Sequence, residues 1–214
     1  MWRHSTNAAL AAAMLMLAGC SSISVQHTAA WNKADTAAAT APAGETVGAD
    51  TGAQFQQAID HMQAGRWDAA IPLLEALTTT HDQLAGPWLN LGIAYTRSGA
   101  GDRARDAFET AAARNPRQAE AWNQLGMLHR RGGRLEQAAT MYRHASEAEP
   151  DHADSHWNLA LLYDRYLPDS AAAHHHLVRY QQLTGKDDPQ VSQWLIELHE
   201  RTAPDNMTAG ATGQ

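Results

Sequence analysis

An all-α solenoid, four helix-turn-helix hairpins closed by a capping helix, is the fold class that this 214-residue sequence predicts. Three observations predict it. Trp88, Gly92, Ala104, Phe108, Ala111 and Pro116 recur 34 residues later as Trp122, Gly126, Ala138, Tyr142, Ala145 and Pro150. Within each set the large and small residues stand three or four apart, which is the spacing of one helix stripe. Alanine is abundant and β-branched residues are scarce, which suits helices better than strands.

The unit from Ala85 to Gln118 shows why this spacing folds. Counted from Ala85, Trp88, Leu91, Gly92 and Tyr95 fall at positions 4, 7, 8 and 11 and line one stripe of a first helix. Gly92 has no side chain, so a second helix can approach there. Ala104, Phe108 and Ala111, at positions 20, 24 and 27, make the facing stripe, with small residues flanking one large ring. Gly99 and Gly101 supply the turn, and Pro116 at position 32 stops the second helix. The set resembles the signature of the tetratricopeptide repeat (TPR), a 34-residue helical hairpin, and the resemblance covers residues 51–184. One such hairpin cannot bury both of its faces, so it implies neighbours.

The next unit, from Ala119, departs from the signature only at His129, which replaces the aromatic at position 11. The unit from Ala153 keeps Leu159, Ala160, Tyr163 and Ala172, while the tryptophan has moved one place to Trp157. There Leu167-Pro168-Asp169 replaces the glycine turn, and His176, Arg179 and Thr184 replace the usual apolar and proline residues. Its second helix is therefore expected to offer no apolar face to a further repeat, as in a terminal unit. One step back from Ala85, Ala58 and Ala70 match, Leu74 stands in for the ring, and Gly65-Arg66-Trp67 makes the turn of a divergent first repeat. Pro72 near the start of its second helix costs at most one early hydrogen bond. After a break, Pro189 opens a last helix capped by Asp188, with Trp194, Leu195 and Leu198 on one face. The expected organisation is four repeats over 51–186 (51–84, 85–118, 119–152 and 153–186), a cap at 187–201 and a polar tail at 202–214.

The N-terminal residues are expected to stand apart from this fold. Arg3 and the apolar run Ala8 to Leu17 read as a leader at 1–19, shorter than the ~20 residues of a membrane-spanning helix. The run ends Leu17-Ala18-Gly19-Cys20, followed by Ser21-Ser22, and Cys20 is the one cysteine of the chain. This resembles the lipobox of bacterial lipoproteins, which implies cleavage before Cys20 and lipidation of its thiol. Several acyl chains on one residue make a stable anchor. Serine after the cysteine implies, through the same resemblance, the outer membrane of a Gram-negative bacterium, with the protein facing the periplasm. Residues 20–50 are rich in Ala, Thr, Ser, Gly and Pro and read as a disordered tether, in which Trp31 is the one large residue.

In TPR proteins the first helices line a concave groove, and their positions 2, 5, 9, 12 and 13 contact the ligand. Transferred here, the resemblance implies Phe55, Ile59 and Met62 from the first repeat and Leu89, Ile93, Thr96 and Arg97 from the second. The third repeat would add Asn123, Met127, Arg130 and Arg131, and the fourth Trp157, Leu161, Asp164 and Arg165. Asn90 and Asn158 hold position 6, where an asparagine commonly pairs with an extended peptide backbone. The result is an apolar floor with four arginines along one edge, suited to a partner segment carrying apolar residues and carboxylates. The chaperone-tail clamp of some TPR proteins is not implied, because Glu120 and Gln124, or Asp154 and Asn158, stand where it needs cations.

Other chemistry is poorly supported. The net charge is −7, with no basic run to engage nucleic acid. Twelve histidines invite a metal, yet His174-His175-His176 are consecutive and point about 100° apart on a helix. His152 and His156 are four apart, but no cysteine or glutamate at ligand spacing joins them. No metal site, cofactor or catalytic residue is expected, and no nucleophile elbow or phosphate-cradling glycine loop is present. The resemblances together imply a non-enzymatic adaptor that binds an envelope protein or peptide segment, fixed to the membrane through Cys20. The type IV pilus pilotins, lipoproteins that pair a lipidated cysteine with TPRs and assist secretin assembly, are one such group, though with about six repeats. Scaffolds for cell-wall hydrolases are another, and a metal-binding accessory protein or self-association through terminal helices is a further alternative.

Overall fold

The structure is a computed structural model and describes residues 49–185 and 187–202. The leader, Cys20, nearly all of the tether, Lys186 and residues 203–214 lie outside the described residues. Among the described residues there are nine helices and no strand: α1 Ala49–Gln63, α2 Trp67–Thr80, α3 Ala85–Ser98, α4 Gly101–Arg114, α5 Ala119–Arg131, α6 Leu135–Ala148, α7 Ala153–Arg165, α8 Ser170–Thr184 and α9 Pro189–Thr202. Each packs mainly on its chain neighbours, and α1 with α3 and α5 with α7 also touch, so the unit is a solenoid of helical hairpins. None of these helices is long and apolar enough to cross a membrane.

The hairpin turns follow from backbone chemistry. Gly65, Gly99 and Gly133 adopt φ of 69°, 83° and 71°, a left-handed conformation in which other L-residues are strained. One residue after each glycine, Arg66, Ala100 and Arg134 donate their N–H groups back to the carbonyls of His61, Tyr95 and His129 at 2.8–3.0 Å. Gly101, read from the sequence as part of the turn, is already the first residue of α4.

Each hairpin closes on one size-matched pair. Phe108 and Tyr142 are fully buried, and a Cβ built on Gly92 or Gly126 would meet their rings at 2.6 and 2.5 Å. In the first and fourth hairpins the second helix supplies leucine, Leu74 or Leu177, and the first helix supplies alanine, Ala58 or Ala160, all fully buried. Smaller partners leave room for one methyl group.

The fourth hairpin corrects the sequence reading. Ala173, Leu177 and Tyr180 of α8 do form an apolar face, and it packs with Val191, Trp194, Leu195 and Leu198 of α9 around Ala160. The turn without glycine is one residue longer: α8 begins 17 residues after α7 begins, whereas α4 and α6 each begin 16 after their first helices. The stripe therefore falls at positions 21, 25 and 28 instead of 20, 24 and 27. His176 and Arg179 occupied the signature count but not the packing face.

Candidate protein-binding face

The first helices α1, α3, α5 and α7 carry the residues proposed for a ligand groove, and burial divides those residues into two groups. Met62, Leu89, Asn90, Ile93, Asn123 and Asn158 are buried, with exposures of 6, 1, 3, 4, 2 and 8%. They are packing residues here, with almost no surface to offer. Phe55, Ile59, Met127, Arg130, Trp157 and Leu161 are half-buried, while Arg97, Arg131 and Arg165 are exposed.

The asparagines expected to meet a peptide backbone have internal partners. Asn90 donates from Nδ2 to the carbonyl of Gly86 at 2.9 Å, within its own helix. Asn158 donates to Oδ1 of Asn123 at 2.9 Å, a buried bond that ties α7 to α5. A buried amide left unpaired is costly, so the Asn90 bond satisfies its own side chain while the Asn158–Asn123 bond helps hold α7 to α5.

The C-terminal end of the face is covered by the cap. Trp157 packs against Tyr180 (ring centroids 4.9 Å apart) and edge-on against Trp194 of α9 (5.5 Å). The Asp164 side chain is only 6% exposed and accepts from Trp194 Nε1 at 3.1 Å, Arg201 Nη2 at 2.7 Å and Arg165 Nε at 3.0 Å. Arg165 is thus paired, and Asp164 acts as the clasp for α9. At the other end of α9, Asp188 Oδ1 accepts from Gln190 N at 2.8 Å as an N-terminal cap.

Three arginines of the face lack a carboxylate partner among the described residues. Arg97 lies over the ring of Trp67 at 5.7 Å, beside a cleft that Gly65, Arg66, Asp68 and Ser98 also line. Arg130 and Arg131 end α5 and act electrostatically on the Tyr142 hydroxyl. That hydroxyl is buried with no hydrogen-bond partner in place, and burial pushes its pKa up to about 12 against the pull of the two guanidiniums. On α4 the arginines are matched: Arg103 with Glu75 at 2.6 Å, Arg114 with Asp82 at 2.8 Å, and Arg105 with Asp102, Asp106 and Glu109, whereas Arg66, Arg134, Arg143 and Arg179 bond to uncharged groups. Tyr95 joins the first pair, donating to Glu75 at 2.6 Å beneath the Arg103 guanidinium, and burial raises its hydroxyl pKa to about 12.

Several histidine roles were not anticipated. Trp88 and Trp122 donate their indole N–H at 2.9 Å to the carbonyls of Asp82 and Pro116, six residues upstream. His156 has position 4 in its repeat, and its Nε2 lies 3.2 Å from the carbonyl of Pro150, again six residues upstream. The tryptophan has not moved; histidine has replaced it, and Trp157 is a separate packing residue. Counting position 4 strictly would have found this. His61 and His129, both at position 11, accept from Arg66 Nε and Arg134 Nε at 2.9 Å. Burial and the Arg134 charge hold His129 below its ordinary pKa. Among the described residues no group of three or more His, Cys, Asp or Glu is placed to hold a metal ion.

Residues 61–128 match one tetratricopeptide repeat model, and residues 119–152 match a second. These are tetratricopeptide repeats. Among solved structures the TPR array is similar to a thermophilic TPR protein of Thermus thermophilus at 23% identity and a TM-score of 0.55, covering 71% of this chain and 82% of that one. It is similar to PilF of Pseudomonas aeruginosa at 20% identity and 0.61, covering 71% and 68%. It is also similar to MamA of Desulfovibrio magneticus at 17% identity and 0.60, covering 73% and 87%. At these identities the likeness is one of fold. No curated protein matches the sequence. TPR proteins bind partner proteins.

Proposed function

We propose that this chain is a non-enzymatic adaptor, anchored through lipid on Cys20 to the periplasmic face of the outer membrane. It docks a carboxylate-bearing segment of an envelope protein on the first helices of its TPR array. The observation that carries the docking is the set Arg97, Arg130 and Arg131, unpaired with any carboxylate among the described residues of a chain of net charge −7. Charges left without a partner on one face favour an oppositely charged ligand there and speed its encounter. The half-buried Met127, on the same helix as Arg130 and Arg131, supplies apolar contact. Leu89 and Ile93 are buried and the cap covers Trp157, which supports the exposed edge of the second and third repeats as the docking surface. Support for the anchor is Cys20, the one cysteine, at the end of a leader-like apolar run. The resemblance to pilotin-type lipoproteins makes secretin assembly the first process to test.

The test is affinity capture from solubilised envelopes with the full chain and with Arg97, Arg130 and Arg131 all changed to glutamate. The reading expects a partner held by the first and lost by the second at equal helicity. Equal capture by both would place docking elsewhere. A Cys20→Ser chain, expected to leave the membrane fraction, tests the anchor separately.

A further inference from the structure

Beyond the docking reading, the fourth hairpin holds a pair of imidazoles that face each other across α7 and α8. His156 Nδ1 and His176 Nδ1 are 3.1 Å apart. The other nitrogen of His156, Nε2, points at the Pro150 carbonyl, which can only accept, so Nε2 carries the proton of the neutral ring. Nδ1 of His156 is then the acceptor, and His176 donates to it. This pair can hold one extra proton without breaking its hydrogen bond; a second puts two N–H groups nose to nose.

The surroundings oppose even the first proton. On α8, the His175 ring meets His176 edge-on with centroids 5.1 Å apart, and Arg179 donates to the same Pro150 carbonyl at 3.2 Å. On α7, Tyr163 stacks on His176, and Arg143 of α6 reaches the Tyr163 hydroxyl at 3.4 Å. The acids nearby act on other groups. Glu120 of α5 and Asp154 act on His152, and Asp154 and Asp188 act on Tyr180. Burial first, then His156 and His175, lowers the pKa of His176 to about 4. Burial, opposed by the Pro150 hydrogen bond and assisted by Arg179, His175 and His152, also lowers that of His156.

We infer that the His156–His176 pair makes the C-terminal hairpin an acid-sensitive latch, which holds α8 against α7 while neutral and releases α8 together with the cap α9 when protonated. The cap follows because its Leu198 and Val191 seat on Ala160 of α7 and on Ala173 and Leu177 of α8. The sign is fixed by the lowered pKa values: stability from this pair is complete above the unfolded value near 6.5 and is lost as pH falls from there toward 4. His152, whose pKa is raised, changes stability in the opposite direction and limits the effect. At pH 4.5 His176 alone shifts the opening equilibrium by on the order of 50-fold relative to pH 7.5.

The test is hydrogen–deuterium exchange of the full chain at pH 7.5 and 4.5, corrected for intrinsic rates, beside a His156→Trp/His176→Gln variant. The tryptophan restores the residue that the second and third repeats carry at this position. The wild type should open by tens-fold more at pH 4.5 over residues 170–202, with α3 to α5 unchanged, and the variant by less than about threefold. Acid-induced opening spread evenly over all hairpins, or equal in the variant, would overturn the inference. Should the variant misfold, imidazole titration of the wild type decides: His176 titrating at or above 6.5 would equally overturn it.

Discussion

A Cβ placed on Gly126 would sit 2.5 Å from the ring of Tyr142, so the α5–α6 hairpin closes at a distance that only glycine permits. Gly92 and Phe108 repeat the relationship at 2.6 Å. The hairpins with Leu74 and Leu177 carry Ala58 and Ala160 instead, and the side-chain volume of one helix thereby sets that of the other.

This pairing predicts strong coupling. Gly126→Ala should destabilise the array by about 1–3 kcal/mol, although alanine is the better helix former by up to ~1 kcal/mol. Adding Tyr142→Leu recreates the alanine–leucine pair of the outer hairpins, and the double variant should be more stable than the sum of the single losses by about 1–2 kcal/mol. Urea unfolding of the four proteins measures the cycle. Strict additivity would mean that the contact is relaxed without cost.

Trp122→Phe keeps most of the apolar surface and removes the N–H that reaches the Pro116 carbonyl at 2.9 Å. The expected loss is ~1 kcal/mol, typical of one hydrogen bond. A variant as stable as the wild type would show that this repeated bond has no net effect.

Asp164→Ala should release the cap. Its carboxylate, 6% exposed, receives Trp194 and Arg201 of α9, and a charge-assisted bond of this kind contributes about 1.5–3 kcal/mol. Tryptophan emission should shift to the red as Trp194 becomes wet, with α9 amides exchanging faster. Unchanged emission would assign the seating of α9 to Val191 and Leu198 alone.

His152 and Glu120, 3.2 Å apart, predict a pH dependence. Burial lowers the His152 pKa, but the hydrogen bond and charge of Glu120, with Asp154 and Glu149, outweigh it and raise the net value. A raised histidine pKa stabilises fully below the unfolded value near 6.5 and is lost as pH rises through the folded one. The melting temperature of the wild type should therefore exceed that of Glu120→Gln by more at pH 5.5 than at pH 8.5. A gap that widens with pH would have the wrong sign.

The hairpins were legible because their determinants are local and periodic: Gly92 and Phe108 are separated by a fixed count, and Gly99 marks its turn. The fourth hairpin was misread where that count slipped by one residue, in a turn whose length no single side chain announces. On the candidate face the sequence identified which residues sit on the first helices, Arg97, Arg130 and Arg131 among them. It could not show that Leu89 and Ile93 are buried, or that Asn158 reaches Asn123, because those facts depend on how successive repeats stack. Nor could spacing bring His156 to His176, which meet across two helices.

The most direct measurement of the docking claim is photo-crosslinking in envelopes, with a photoreactive residue in place of Arg131 on the first-helix face or of Arg105 on the second-helix face. Arg105 is already matched by Asp102, Asp106 and Glu109. A discrete adduct is expected from position 131, lost when Arg97 and Arg130 are reversed to glutamate, and none from position 105. An adduct from 105 alone, or one from 131 that survives the reversal, would contradict it.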